Sequence, residues 1–145
     1  MSTENKPIVL CVDDDPRTLE ILSKVLDRLP VEPVLAQGTR QAADLAQRLQ
    51  PRLIILDVTM PEVSGWQLLQ TIRGSHPRAN LRVLALSAKA NSAERSLATN
   101  VARIDAFMGK PFDIAELARR VAALLELPPP GEWSNPGVPG PAGPE

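Results

Sequence analysis

The segment Leu53-Ile54-Ile55-Leu56-Asp57 decides the fold, with four aliphatic residues in succession closed by an aspartate. A strand that is apolar on both faces belongs inside a sheet covered on both sides, as happens when parallel strands are joined by helical crossovers. Upstream, Ile8 to Val12 repeats the pattern and runs into Asp13-Asp14-Asp15-Pro16. Asp15 suits a helix cap and Pro16 the first helical position. Leu19, Leu22, Val25, Leu26 and Leu29 then share one helical face, and Pro30 stops it. Val34-Leu35-Ala36 reads as a short strand, and Ala42, Leu45, Ala46 and Leu49 place a helix over 41–49.

Beyond Asp57, a loop with Met60 and Pro61 leads into a helix over 65–73, where Ser64 and Gln67 have capping-box spacing. Val83-Leu84-Ala85-Leu86 is the fourth strand, 93–102 a weaker helix and Ala106-Phe107-Met108 a fifth strand. Asp113 and Glu116 open a last helix whose apolar face is Ile114, Leu117, Val121, Leu124 and Leu125. Five strands alternating with five helices predict an α/β fold, a doubly wound, flavodoxin-like parallel sheet of strand order 2-1-3-4-5.

With 145 residues, a net charge of -1 and no run of lysines or arginines, the chain lacks the positive field that grips phosphate backbones. Direct nucleic-acid binding is not expected. The lone Cys11 lies in the first strand and has no partner for an internal disulfide, which fits a cytoplasmic setting. The apolar runs are strand-sized, so no membrane segment is expected. From Pro128 onward the chain holds seven of its fifteen prolines. The expected organisation is a domain over 1–127 and an extended, disordered Pro/Gly-rich tail or linker over 128–145. Gly137, Gly140 and Gly143 keep a collagen-like spacing over too few triplets for a triple helix.

In a parallel sheet the carboxyl ends of the strands form the ligand crevice, so Asp13, Asp14, Asp57 and Lys110 should converge there. Helix capping accounts for Asp15 but not for Asp13 and Asp14, whose adjacent charges repel each other unless a cation sits between them. Hard carboxylate oxygens favour magnesium, and such a pocket suits a phosphoryl group. Taken alone, Lys110 reads as a surface lysine beside a turn.

Together, Val12-Asp13-Asp14-Asp15-Pro16, Leu56-Asp57-Val58-Thr59-Met60-Pro61, Gly65, Leu86-Ser87-Ala88 and Lys110-Pro111-Phe112 resemble the receiver domain of bacterial two-component response regulators, of the chemotaxis-receiver kind. The resemblance spans 8–127. It implies that Asp57 accepts a phosphoryl group from a histidine kinase or phosphotransfer protein, and that an unidentified downstream protein reads the result. It implies a Mg2+ ion on Asp14 and Asp57, with Asp13 acting through water and Thr59 through its carbonyl. It further implies that Lys110 contacts the phosphoryl group, that Ser87 and Phe107 form a switch, and that Thr59 and Lys89 tune the lifetime of the phosphoaspartate. Such a domain is not an enzyme beyond slow self-phosphorylation from small donors and self-dephosphorylation.

Arg103-Ile104 replaces the family's Gly-Ala before the fifth strand, and Leu97, Val101 and Ile104 keep a helical spacing. The fourth helix is therefore expected either to run on or to end at Asn100. Other readings are a receiver cut from a longer regulator or kinase, and a metal-dependent phosphohydrolase, against which Thr59 stands where that class keeps an acid. An FMN carrier would have its phosphate repelled by the triple aspartate. A receiver-shaped module that has abandoned phosphorylation would not need the complete set of residues. His76 reads as a surface histidine, Trp66 as packing and Trp133 as part of the linker.

Overall fold

A computed structural model describes residues 6–57, 65–75, 81–88 and 104–127. Five strands, β1 (Ile8–Val12), β2 (Glu32–Ala36), β3 (Leu53–Asp57), β4 (Arg82–Ser87) and β5 (Ala106–Gly109), form one sheet of order β2-β1-β3-β4-β5. Every pairing is parallel. Among the described residues the helices are α1 (Pro16–Leu26), α2 (Thr39–Leu49), α3 (Gly65–Ser75) and α4 (Ile114–Leu124).

Alternation along the strands builds two cores. Leu10, Ile54, Leu56, Val83, Ala85 and Phe107 face Ala42, Ala46, Leu69 and Ile72 of α2 and α3. On the other face Val9, Cys11, Ile55, Leu84, Leu86 and Met108 meet Leu22, Leu26, Leu117 and Val121 of α1 and α4. All five residues of β3 are buried, as its unbroken apolar run requires. Full burial of one such leucine or isoleucine contributes about 1.5 to 3 kcal/mol, so these two layers fix the register on which the carboxyl rim depends.

Local chemistry sets the ends of the helices. Asp15 caps α1 by accepting the Arg17 N–H, with Pro16 at the first helical position. Asp113 caps α4 by accepting the N–H groups of Ala115 and Glu116. Glu116 turns instead to Arg120, at 3.0 Å, four residues along the same helix. α1 ends at Leu26, one turn before the apolar spacing does, because Pro30 disfavours a helical Leu29. A turn bond from the Leu29 N–H to the Leu26 carbonyl, at 2.9 Å, still brings Leu29 into the core.

Strand ends extend beyond the apolar runs: β2 begins at Glu32, β4 runs from Arg82 to Ser87 and β5 reaches Gly109. Ile104 lies outside any helix, immediately before β5, and packs against the α2–α3 core. The helical spacing from Leu97 to Ile104 therefore does not carry a helix through Ile104. The expected helix over 93–102, the Ser64 half of the capping box, His76, Trp133 and the tail lie outside the described residues, as does the Trp66 side chain.

Candidate functional site

Register brings the acidic residues together. β1 and β3 pair with Cys11 opposite Ile55 and Val12 opposite Leu56, so one further step sets Asp13 beside Asp57 on neighbouring strands. Their carboxylate oxygens and those of Asp14 all lie within 4.8 Å of one another. Asp13 and Asp57 are buried, whereas Asp14 stands exposed at the mouth. Backbone bonds hold the acidic turn: the Asp13 N–H donates to the Ala36 carbonyl at 3.2 Å, and the Asp15 N–H donates to Asp13 Oδ1 at 2.9 Å.

Lys110 enters from the end of β5. Its Nζ donates to Asp13 Oδ2 at 3.1 Å and to Asp57 Oδ2 at 3.2 Å, bridging the two carboxylates. The Lys110 N–H donates to the Ser87 carbonyl at 2.9 Å, which ties the lysine to the end of β4, and the Lys110–Pro111 peptide bond is cis. Ser87 is fully buried. Strand alternation places Ser87 on the face of Val83 and Ala85, and Ala85 pairs with Phe107, so Ser87 and Phe107 share one face. The Phe107 ring is buried in that core.

Electrostatics follow from this crowding. Burial, reinforced by the Asp57 charge, pushes the Asp13 carboxyl up to about 6, against the pull of the Asp15 N–H and Lys110. Burial works against the Lys110 charge, but Asp13 and Asp57 outweigh it and hold the ammonium above its ordinary range. At the entrance, the Arg17 N–H and guanidinium hold Asp15 below the usual carboxylate range despite slight desolvation. Cys11, deep in β1, has its thiol pushed up to about 12 by burial and takes no part.

Among the described residues three carboxylates and one ammonium leave the crevice with excess negative charge, and hard oxygen donors at this spacing match what a magnesium ion takes. Asp13, Asp14, Asp57 and Lys110 are thus brought together; Ser87 closes β4, the strand next to Asp57, while Phe107 lies within the α2–α3 core on β5. Thr59 and Lys89 lie outside the described residues. Gln37, whose amide donates to the Asp14 carbonyl at 3.4 Å, joins the site without having drawn notice in the sequence. Its only sequence signal was a place directly after a strand on the carboxyl rim.

A family model of the response regulator receiver domain matches residues 9–122. The DNA-binding dual master transcriptional regulator RpaA of Synechocystis is 33% identical over 82% of this chain, which spans 49% of that protein. A 14.6 kDa protein of Leptolyngbya boryana, itself uncharacterized, is 33% identical over 89% of this chain and 98% of its own length. Among solved structures, the receiver domain of the Francisella response regulator 1452 superposes with a TM-score of 0.73 at 27% identity, covering 83% of this chain and 98% of its own. The chain spans about half the length of several other curated relatives that it matches. No helix among the described residues is long and apolar enough to cross a membrane. Lysine-bridged aspartates at the carboxyl rim of a 2-1-3-4-5 sheet and a family match over most of the chain lead to one conclusion: this chain belongs to the receiver domains of two-component response regulators.

Proposed function

We propose that this receiver accepts a phosphoryl group on Asp57 from a histidine kinase or a histidine phosphotransfer protein and thereby alters its affinity for a downstream protein. The observation that carries this reading is the lysine bridge, Lys110 Nζ lying 3.1 Å from Asp13 and 3.2 Å from Asp57. An Asp57 oxygen bonds to phosphorus as the bond from phosphorus to the donor imidazole nitrogen breaks, the nitrogen keeping the electron pair. The Asp57 charge opposes an incoming phosphate, and Lys110 is the side chain positioned to offset it by moving onto a phosphoryl oxygen.

Asp13, Asp14 and Asp57, with the Thr59 carbonyl, are the groups that would hold Mg2+. A bound ion would supply charge neutralisation at the transferring group. Ser87 would bond the new phosphoryl group, and Phe107, on the same face one strand over, is the ring that would respond. Such a switch works only if the phosphoryl group makes different contacts in two states of the domain. Lys89 and Thr59 would set how readily water reaches the ester. Residues 1–127 form the receiver domain in this reading, and 128–145 a linker or tail.

Incubation with acetyl phosphate and magnesium tests it. Wild type should take up about one phosphate per chain and Asp57→Ala none. Equal labelling of the two proteins refutes the assignment.

A further inference from the structure

The three carboxylates of the crevice are not held alike. Asp13, directly after β1, and Asp57, at the end of the neighbouring β3, are buried and bridged by Lys110, so packing and charge fix them. Asp14 is exposed, two residues past the end of β1 in the turn to α1, and its aim depends on the backbone that carries it. That backbone is tied to the turn between β2 and α2. The Asp13 N–H donates to the Ala36 carbonyl at 3.2 Å, and the Gln37 side-chain amide donates to the Asp14 carbonyl at 3.4 Å. Gln37 is in turn tethered to the first turn of α2, because its N–H donates to Gln41 Oε1 at 3.2 Å. Between them Gly38 turns the chain at φ 117°, a conformation that side-chain-bearing residues rarely adopt, so the Gln37–Gln41 link spans a fixed turn.

We infer that Gln37 is a positioning residue for the metal-binding turn: anchored by Gln41, it holds the Asp14 peptide so that the exposed carboxylate is already aimed at the ion shared with Asp13 and Asp57. This rests on the magnesium reading of the crevice. Removing an outer group that orients a ligand lowers affinity without touching the ligand itself, because the free protein then spends time in arrangements that cannot bind.

The test is isothermal titration of the full chain with magnesium chloride, alongside thermal unfolding in EDTA. Gln37→Ala, and Gln37→Met, which keeps the bulk but loses the donor, should each weaken magnesium binding roughly two- to fivefold, the net worth of one exposed hydrogen bond. Gln41→Ala should weaken it by less, since it only releases the tether. Arg48→Ala, which breaks the Arg48–Asp44 pair farther along α2, should titrate as wild type does. Unfolding midpoints in EDTA should stay at the wild-type value in both Gln37 variants. Unchanged magnesium affinity in the Gln37 variants overturns the inference, as does a loss of affinity matched by a fallen midpoint, which would mark a generally loosened fold. A wild-type protein that takes no magnesium overturns the underlying reading as well.

Discussion

The two rims of this sheet treat charge in opposite ways. At the amino rim polar groups are matched one to one: the Glu32 N–H donates to the Pro7 carbonyl, the Arg52 N–H to Ile8, the Arg82 N–H to Arg52 and the Asp105 N–H to Val83, all at 2.9 or 3.0 Å. Asp105 also accepts the Val83 N–H at 2.8 Å and pairs with the Arg82 guanidinium at 3.6 Å. At the carboxyl rim, among the described residues, three carboxylates cluster and a single ammonium bridges the two buried ones. Matched polar groups hold strands in place, whereas an unbalanced cluster is held in place by the fold at a cost in stability. The imbalance suits the crevice to a divalent cation, and it should be measurable as strain when none is bound.

The largest effect is expected from removing Lys110, the one cation of the crevice among the described residues. Lys110→Met strips the bridging ammonium from the buried Asp13 and Asp57, and a broken buried pair costs about 3 to 5 kcal/mol. Urea unfolding in EDTA at pH 8 should show a loss of about 3 kcal/mol, shrinking as the pH falls toward 5 and Asp13 becomes neutral. A loss under about 1 kcal/mol would mean that Lys110 does not balance the cluster at all.

A smaller effect, of opposite sign, belongs to pH. The Asp13 proton leaves the folded protein at about 6, above the ordinary aspartate value near 3.9 in the unfolded chain. Between those values the folded state binds more protons, so stability without metal rises as pH falls through 6 and levels off below about 4. The expected gain is about 1 to 3 kcal/mol. Asp15, held low, loses its favourable contribution only below the ordinary carboxylate range, and Lys110, held high, only in alkali. Unfolding of Asp13→Asn in EDTA should lack this gain between pH 7 and 5, and an identical slope in both proteins would exclude Asp13 as its source.

The same contrast explains what could be read from the sequence. β1 and β3 were legible because their apolar runs admit no other placement, and the crevice residues because each stands one or two positions past such a run. α4 was legible from Asp113 and from Leu117 and Val121, although Ile114, read on the same face, is exposed. The amino-rim strand starts were not, since Glu32, Pro33 and Arg82 have no strand signature and are recruited by bonds from a neighbouring strand. Gln37 was equally silent. An amide in a turn gains meaning only when the register sets β2 beside β1 and brings Ala36 and Gln37 against the acidic turn. Of the two ends read for the fourth helix, the longer does not hold: Ile104 keeps helical spacing from Leu97 but is not helical, and lies partly buried against the α2–α3 core just before β5.

The smallest expected effect lies at the amino rim and separates its two bonds. The Arg82–Asp105 pair is 42% and 26% exposed at its two side chains, a setting in which ion pairs contribute about 0 to 1 kcal/mol. Arg82→Ala should therefore cost no more than about 0.5 kcal/mol in urea unfolding. Asp105→Ala should cost about 1 to 2 kcal/mol, because it leaves the N–H of the fully buried Val83 without the carboxylate that accepts it. Neither change touches the crevice, so acetyl phosphate should label both variants as it labels wild type. If Arg82→Ala proved as costly as Asp105→Ala, charge rather than the strand-end hydrogen bond would be holding β4 to β5. The amino rim would then share the electrostatic character here reserved for the carboxyl one.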